Sequence, residues 1–344
     1  MSNVGVVGAT GYTGIELLRL LSKHEAVELT VATSNSEKGK AIKDVFPSLR
    51  GHVDLEFVDH DSEQLKSCDI VYFATPHATA MYHVPKLLDQ GSKVIDLSAD
   101  FRITNAGLWE QWYQVKHACP DLLKKAVYGL PELNRQNIKD ADLIANPGCY
   151  PTAITLALLP AIKKGLIHND IIADAKSGVT GAGRKAMLAT QFSEVSETFK
   201  AYAVSGHRHL PEILQTLNIE QVASEVNLTF VPHLVPMNRG IFATVYVKPT
   251  DNTKDLQEHY AAYYAEEEFV DVMPQGSHPD TASVRATNSC RLAIHPGKNE
   301  SQPTVVLSVI DNLVKGAAGQ AIQNMNIMLG LSENTGLDMA GLTP

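Results

Sequence analysis

Short apolar runs alternate with amphipathic stretches from Asn3 to Ala145. Asn3-Val4-Gly5-Val6-Val7 is β-rich and ends at Gly8-Ala9-Thr10-Gly11-Tyr12-Thr13-Gly14, and the segment Ile15 to Leu21 that follows has helical spacing. Further strands are predicted at Val27 to Ala32, Asp69 to Ala74, Lys93 to Leu97 and Asp142 to Ala145, with a helix from Thr79 to Leu88. Strands that alternate with helices predict a parallel sheet covered on both faces. Asn146-Pro147-Gly148 stops the last of these strands, and Ala153 to Ile162 is apolar enough for a buried helix. Beyond it, Ile171 to Val247 and Thr304 to Ile310 read as longer strands with fewer helices, the pattern of an α+β domain. Leu313 to Leu329 predicts one last helix, returning to the first domain.

A chain of 344 residues, 44% hydrophobic and 19% charged, suits about two folded domains. The expected class is therefore α/β, a nucleotide-binding domain over 1–148 completed by 312–344, with an α+β domain with a mixed sheet over 149–311. Lys plus Arg at 29 against Asp plus Glu at 38 gives −9, without a basic block, so nucleic acid is not an expected partner. Met1-Ser2-Asn3-Val4-Gly5 has no basic patch leading into an apolar stretch, and Ala153 to Ile162 is too short to span a bilayer. A cytoplasmic protein with no membrane partner is expected. Cys68, Cys119, Cys149 and Cys290 lack both CxxC spacing and the density of a disulfide scaffold, so reduced thiols are expected.

Glycines at 8, 11 and 14 between a strand and a helix form a GxxGxxG variant of the dinucleotide fingerprint. Lacking side chains, they let the backbone approach a pyrophosphate that the helix N-terminus attracts. Thr10, Tyr12 and Thr13 between them, and Thr75 and Pro76 after the Asp69 to Ala74 strand, complete the candidate cofactor residues of this turn. NAD recognition would place an acidic residue about 20 positions further on, at the end of the second strand. The chain instead reads Thr33-Ser34-Asn35-Ser36-Glu37-Lys38-Gly39-Lys40. Ser34, Ser36 and Lys38 suit a 2′-phosphate, so NADP(H) is expected, with Glu37 as the opposing charge.

Asn146-Pro147-Gly148-Cys149-Tyr150-Pro151-Thr152 follows a strand at the edge where α/β sheets bind ligands and opens a helix, since Pro151 fits a first turn. Free backbone N–H groups there stabilise a thiolate, which makes Cys149 the candidate nucleophile. The other three cysteines read as small apolar fillers.

With both loops in view, the chain resembles the N-acetyl-gamma-glutamyl-phosphate reductase family, within the wider aspartate-semialdehyde dehydrogenase group. The likeness extends to Ser98-Ala99-Asp100-Phe101-Arg102, Tyr128-Gly129-Leu130-Pro131-Glu132, the segment Lys176 to Arg184, and the segment Gly206 to Ile213, in the expected order. The resemblance implies a Rossmann domain, a catalytic and dimerisation domain, a cysteine nucleophile, and NADPH-dependent reduction of N-acetyl-glutamyl 5-phosphate to the 5-semialdehyde in arginine biosynthesis. A related reductase acting on an aminoadipyl or aspartyl phosphate is the alternative. Family members often carry an arginine in the second-strand loop, where this chain has Asn35.

Thioester chemistry needs a proton partner, and His207-Arg208-His209 places two imidazoles within three residues, on one face if the segment is extended. His207 is the favoured general acid/base, with His209 orienting or structural. The anionic acyl phosphate substrate needs cations, for which Arg102, Arg184, Arg208 and Arg239 are candidates. Ser177, Gly178 and Gly181 would line the cofactor side. Asn312 either holds the nicotinamide carboxamide or caps a helix. No metal-ligand spacing is present, and a homo-oligomer, dimer or tetramer, is expected.

Overall fold

The computed structural model describes residues 1–220, 225–250, 255–299 and 301–342. They form two units, Met1–Pro147 with Ala317–Asp338, and Gly148–Gly316 with the described part of 339–344. The segment expected to return to the first domain over 312–344 therefore does so only from Ala317 to Asp338; residues 343–344 lie outside the described residues. Residues 312–316 stay with the second unit, as does the tail, whose Leu342 N–H donates to Arg285 O at 3.1 Å.

The first unit holds strands β1 (Ser2–Val7), β2 (Val27–Thr33), β3 (Phe57–Val58), β4 (Ile70–Phe73), β5 (Lys93–Asp96), β6 (Val127–Tyr128) and β7 (Leu143–Ala145). Their order is β3-β2-β1-β4-β5-β7-β6, and every pair is parallel. Ile70 to Phe73 are all completely buried, as expected of a strand covered on both faces. The two-residue edge strands β3 and β6 were not anticipated, because so short a run has no periodicity. β1 lies between β2 and β4, the point where the strand order reverses and where doubly wound sheets open a ligand crevice beyond their carboxyl ends.

The helix Gly319–Met328 closes this unit with buried polar side chains as well as apolar ones. Asn324 donates to Gly129 O at 2.8 Å and Asn146 Oδ1 at 3.1 Å, and Asn326 Oδ1 meets His24 Nε2 at 2.9 Å. The single helix expected over Leu313 to Leu329 is in fact a π-helical turn, Val314–Ala318, running into that α-helix.

The second unit carries β8 (Asp170–Gly178), β9 (Lys200–Ala201), β10 (Asn227–Val235), β11 (Ile241–Val247), β12 (Val270–Val272), β13 (Cys290–His295) and β14 (Thr304–Ile310), in the order β12-β13-β14-β11-β8-β10-β9. β8 pairs parallel with β10 and antiparallel with β11, so the sheet is mixed. Helices Cys149–Lys163 and His209–Glu220 pack one face of it. The first is buried from Tyr150 to Ile162, which explains its largely apolar sequence. Pro160 cannot donate to Leu156 O, and the Tyr264 hydroxyl supplies that hydrogen bond at 2.7 Å. Among the described residues no helix is long and apolar enough to cross a membrane.

Candidate active site

In the first unit the glycine turn is held by β2, with Ala9 N–H donating to Thr33 O at 2.9 Å and Gly8 N–H to Thr33 Oγ1 at 3.3 Å. Gly8 has φ +82°, and a Cβ there would sit 2.7 Å from Ala74 O. A Cβ on Gly14 would sit 2.5 Å from Gly8 O, so these two glycines are required by packing alone. Gly11 is different, because the nearest atoms to its Cβ position are 3.8 Å away. It precedes the helix Tyr12–Leu21, whose N-terminus carries no side-chain cap. Beside this turn Thr75 is buried, and its Oγ1 has no hydrogen-bond partner among the described residues. An uncapped helix start, open room at Gly11 and an orphaned hydroxyl fit a bound dinucleotide. Pro76 follows on the exposed side, Tyr12 is exposed and Thr13 half-buried.

The β2 loop contains a hydroxyl relay, Thr10 Oγ1 to Ser34 Oγ at 3.2 Å and Ser34 Oγ to Ser36 Oγ at 3.3 Å. Its cations are ion-paired, Lys38 with Asp59 and Lys40 with Glu37. His60, absent from the sequence expectations, contacts Thr33 Oγ1 through Nδ1 at 2.5 Å, and burial holds its pKa below the usual imidazole value.

At the end of β5, the Asp100 carboxylate accepts from the N–H groups of Ala78, Thr79 and Met81 at 2.7, 3.0 and 3.1 Å, capping the helix Ala80–Asp89. Arg102 is buried and donates to Asn146 O and Leu97 O, both at 2.7 Å. These two bonds, from Nε and Nη2, brace the chain just before Pro147.

Gly148 precedes the helix Cys149–Lys163, so Cys149 is its first residue. The Gly148 N–H donates to Glu212 Oε1 at 2.8 Å, and Glu212 is buried. Tyr150 donates to His233 O at 3.0 Å and receives the Tyr202 hydroxyl at 3.3 Å. The rings of His207 and His209 lie 4.8 Å apart, each edge-on to Tyr150 at 5.7 and 6.0 Å. The two histidines thus gather beside the residue after Cys149. They do so through a turn rather than an extended segment, since the His209 N–H donates to His207 Nδ1 at 3.1 Å and Leu210 N–H to His207 O at 2.8 Å. That bond puts the proton of neutral His207 on Nε2. Burial, then the Arg208 charge, pushes the His207 pKa down to about 4. The Cys119 thiol is pushed up to about 11 by burial, and Cys68 is raised for the same reason, so neither is a reactive thiol.

Elsewhere in this unit, a Cβ on Gly178 would lie 2.7 Å from the backbone Asn238 O, so that glycine is needed by the turn itself, whereas one on Gly181 would meet only the Ser177 hydroxyl, at 2.7 Å. Asn312 accepts from Gly240 N–H at 2.7 Å and donates to Thr180 Oγ1 at 3.0 Å. It joins β11 to that turn, a role neither of its expected readings named. Arg239 pairs with the buried Asp311 at 3.2 Å. Arg184 and Arg208 are exposed. Tyr150, Tyr202 and Glu212 were missed as site residues; Glu212 read only as part of a helix start.

A family model described as the semialdehyde dehydrogenase NAD-binding domain matches residues 3–141, and one described as the semialdehyde dehydrogenase dimerisation domain matches 149–312. N-acetyl-gamma-glutamyl-phosphate reductase from Nitrosomonas eutropha is 55% identical over 345 residues, covering 100% of both chains. The reductase of the same name from Azotobacter vinelandii is 57% identical over 346 residues, again covering 100% of both. This chain belongs to the N-acetyl-gamma-glutamyl-phosphate reductase family. The two-unit fold of the family is also that of aspartate semialdehyde dehydrogenase II from Vibrio cholerae, solved in complex with ASA, at TM-score 0.75 and 17% identity over 96% of this chain and 98% of that one. Aspartate semialdehyde dehydrogenase from Candida albicans, solved with NADP, matches at TM-score 0.71 and 15% identity over 97% and 99%. At these identities the likeness speaks for the fold alone.

Proposed function

We propose that this chain reduces N-acetyl-glutamyl 5-phosphate to N-acetyl-glutamate 5-semialdehyde with release of phosphate, a cytosolic step of arginine biosynthesis, and that Cys149 is its nucleophile. The observation that carries the reading is the thiol at the first residue of a buried helix, in a chain that matches reductases of this name from end to end. The helix dipole favours the thiolate there. Attack on the acyl carbon forms the C–S bond and breaks the C–O bond to phosphate, leaving a thioester on Cys149. Gly8, Thr10, Gly11, Tyr12, Thr13, Gly14, Thr75 and Pro76 hold a nicotinamide dinucleotide, which when bound supplies a hydride. The Nε2–H of His207 suits donation to the oxyanion of the resulting thiohemiacetal, and the His207–His209 pair carries the proton exchanged as phosphate departs. Collapse of that oxyanion re-forms the C=O bond, breaks the C–S bond, frees the semialdehyde and returns the thiolate of Cys149. Arg184 and Arg208 meet the substrate's anions.

NADPH is the proposed donor over NADH. The hydroxyl relay through Ser34 and Ser36, beside Lys38, supports a 2′-phosphate, and the two acidic groups of this loop region, Glu37 and Asp59, are already ion-paired. The protein works as a homo-oligomer through its second unit. The sheet face turned away from that unit's helices presents Ile172, Val231, Phe242, Tyr246, Val305 and Leu307 at least partly exposed, more apolar than a solvated face requires.

The deciding experiment measures steady-state reduction of glutamyl, aminoadipyl and aspartyl phosphates by the native chain and by Cys149→Ser. Preference for the N-acetyl-glutamyl substrate and loss of turnover in Cys149→Ser are expected. Undiminished turnover in Cys149→Ser would remove the covalent route, and preference for aspartyl phosphate would remove the substrate.

A further inference from the structure

A π-helical turn costs a run of helix its regular hydrogen bonds, and such turns recur at functional sites. Here the turn Val314–Ala318 is marked by the Gly316 N–H donating to Asp311 O, five residues back, at 2.9 Å. Its third residue has no side chain, and the nearest obstacle to one is Cys149, with Asp311 O next at 3.3 Å. A Cβ on Gly316 would lie 2.8 Å from the Cys149 Cβ and 3.2 Å from its Cα. Ordinary contact begins at 3.4 Å, so a methyl group at 316 requires one side to retreat by roughly 0.6–1 Å.

The turn is poorly placed to give way. Asp311, completely buried, accepts from the N–H groups of Ala286 and Leu313 at 2.7 and 2.8 Å and pairs with Arg239. Asn312 is fastened to Gly240 and Thr180. Lys315 is completely buried, with Nζ 5.6 Å from the Phe269 ring centroid. Cys149 is the first residue of its helix, with one neighbouring helical turn instead of two, and the Gly148 amide before it is held by Glu212.

We infer that Gly316 is a positioning residue for the nucleophile: the π-helical turn presents a bare Cα against which the Cys149 Cβ seats, and this contact sets where the sulfur stands. The inference rests on Cys149 being the nucleophile. A displacement of about 1 Å at a reacting atom can cost on the order of 100-fold in rate.

The test combines kinetics with a stability cycle. In Gly316→Ala, kcat is expected to fall on the order of 100-fold with KM for the acyl phosphate changed by less than about threefold. Melting temperatures of the native chain, Gly316→Ala, Cys149→Gly and the double variant then locate the clash. The drop caused by Gly316→Ala should be clearly smaller in the Cys149→Gly background, where the closest obstacle, the Cys149 Cβ, is gone and only the Cα and Asp311 O remain. If Gly316→Ala fails to fold alone but folds in that background, the contact is equally established. A kcat per folded molecule within twofold of native, or the same melting-temperature drop in both backgrounds, overturns the inference. Full turnover in Cys149→Ser would instead overturn the nucleophile assignment, and the cycle reports the contact independently of it.

Discussion

The Glu212 carboxylate and the Gly148 backbone N–H, 64 residues apart in sequence, meet at 2.8 Å immediately before Cys149. The bond fixes the turn from which the thiol's helix departs and joins it to the helix His209–Glu220, whose first residue is His209. One buried carboxylate thereby couples the placement of the nucleophile to that of the histidines.

Replacing Glu212 by alanine leaves the buried Gly148 amide without its acceptor, a loss of about 1–3 kcal/mol. Glu212→Gln keeps an acceptor at the same reach. Denaturant titration should therefore show Glu212→Ala clearly destabilised and Glu212→Gln closer to native. Equal losses in both would mean that the hydrogen bond contributes little.

His207 links stability to acidity. Its folded pKa of about 4 lies below the ordinary 6.5, so the unfolded chain binds more protons between those values. The stability due to this group is complete above about pH 6.5 and is lost as the pH falls through about 4. His207→Asn should flatten that part of the stability profile. Arg208→Gln, by removing a cation beside the ring, should raise the imidazole pKa measured by NMR titration. An imidazole titrating near 6.5 in the native chain would contradict the buried, cation-flanked setting.

Much of this was legible in advance. Val4 to Val7 and Ile70 to Phe73 are apolar because both faces of their sheet are covered, and Pro147-Gly148 before an apolar run marks the helix that Cys149 opens. What remained hidden depends on partners distant in sequence. Nothing around Arg102 in the sequence points to Asn146 O, 44 residues on, which accepts from it. Nor does the segment around Asn312 point to Gly240 and Thr180, the partners it holds. The π-helical turn was invisible for another reason, since one extra residue in a turn barely disturbs the apolar spacing from Leu313 to Leu329.

Tyr264 and Pro160 form a compensated pair. The proline leaves Leu156 O without its helical donor, and the phenol replaces it at 2.7 Å. Tyr264→Phe should destabilise the chain by about 1–3 kcal/mol, the cost of an unsatisfied buried carbonyl. In Pro160→Ala, where the backbone amide returns, the same substitution should cost markedly less. Identical losses in both backgrounds would show that Tyr264 acts through other contacts.

The orphaned hydroxyl of Thr75 yields the prediction that separates stability from binding. A buried hydroxyl without a partner costs roughly 1–3 kcal/mol, and valine has nearly the same shape without that cost. Thr75→Val should therefore melt at or above the native temperature in the absence of ligand. If the hydroxyl serves a dinucleotide seated on the glycine turn, the same substitution weakens binding by about 1 kcal/mol, roughly fivefold in Kd. Thermal melts of the free protein and fluorescence titration with the reduced dinucleotide read the two effects separately. A variant that melts lower and binds as tightly as native would return Thr75 to a purely structural role. Opposite movement of the two quantities is the signature of a polar group kept in the core for its ligand, because no packing requirement of the free protein favours the hydroxyl over the methyl.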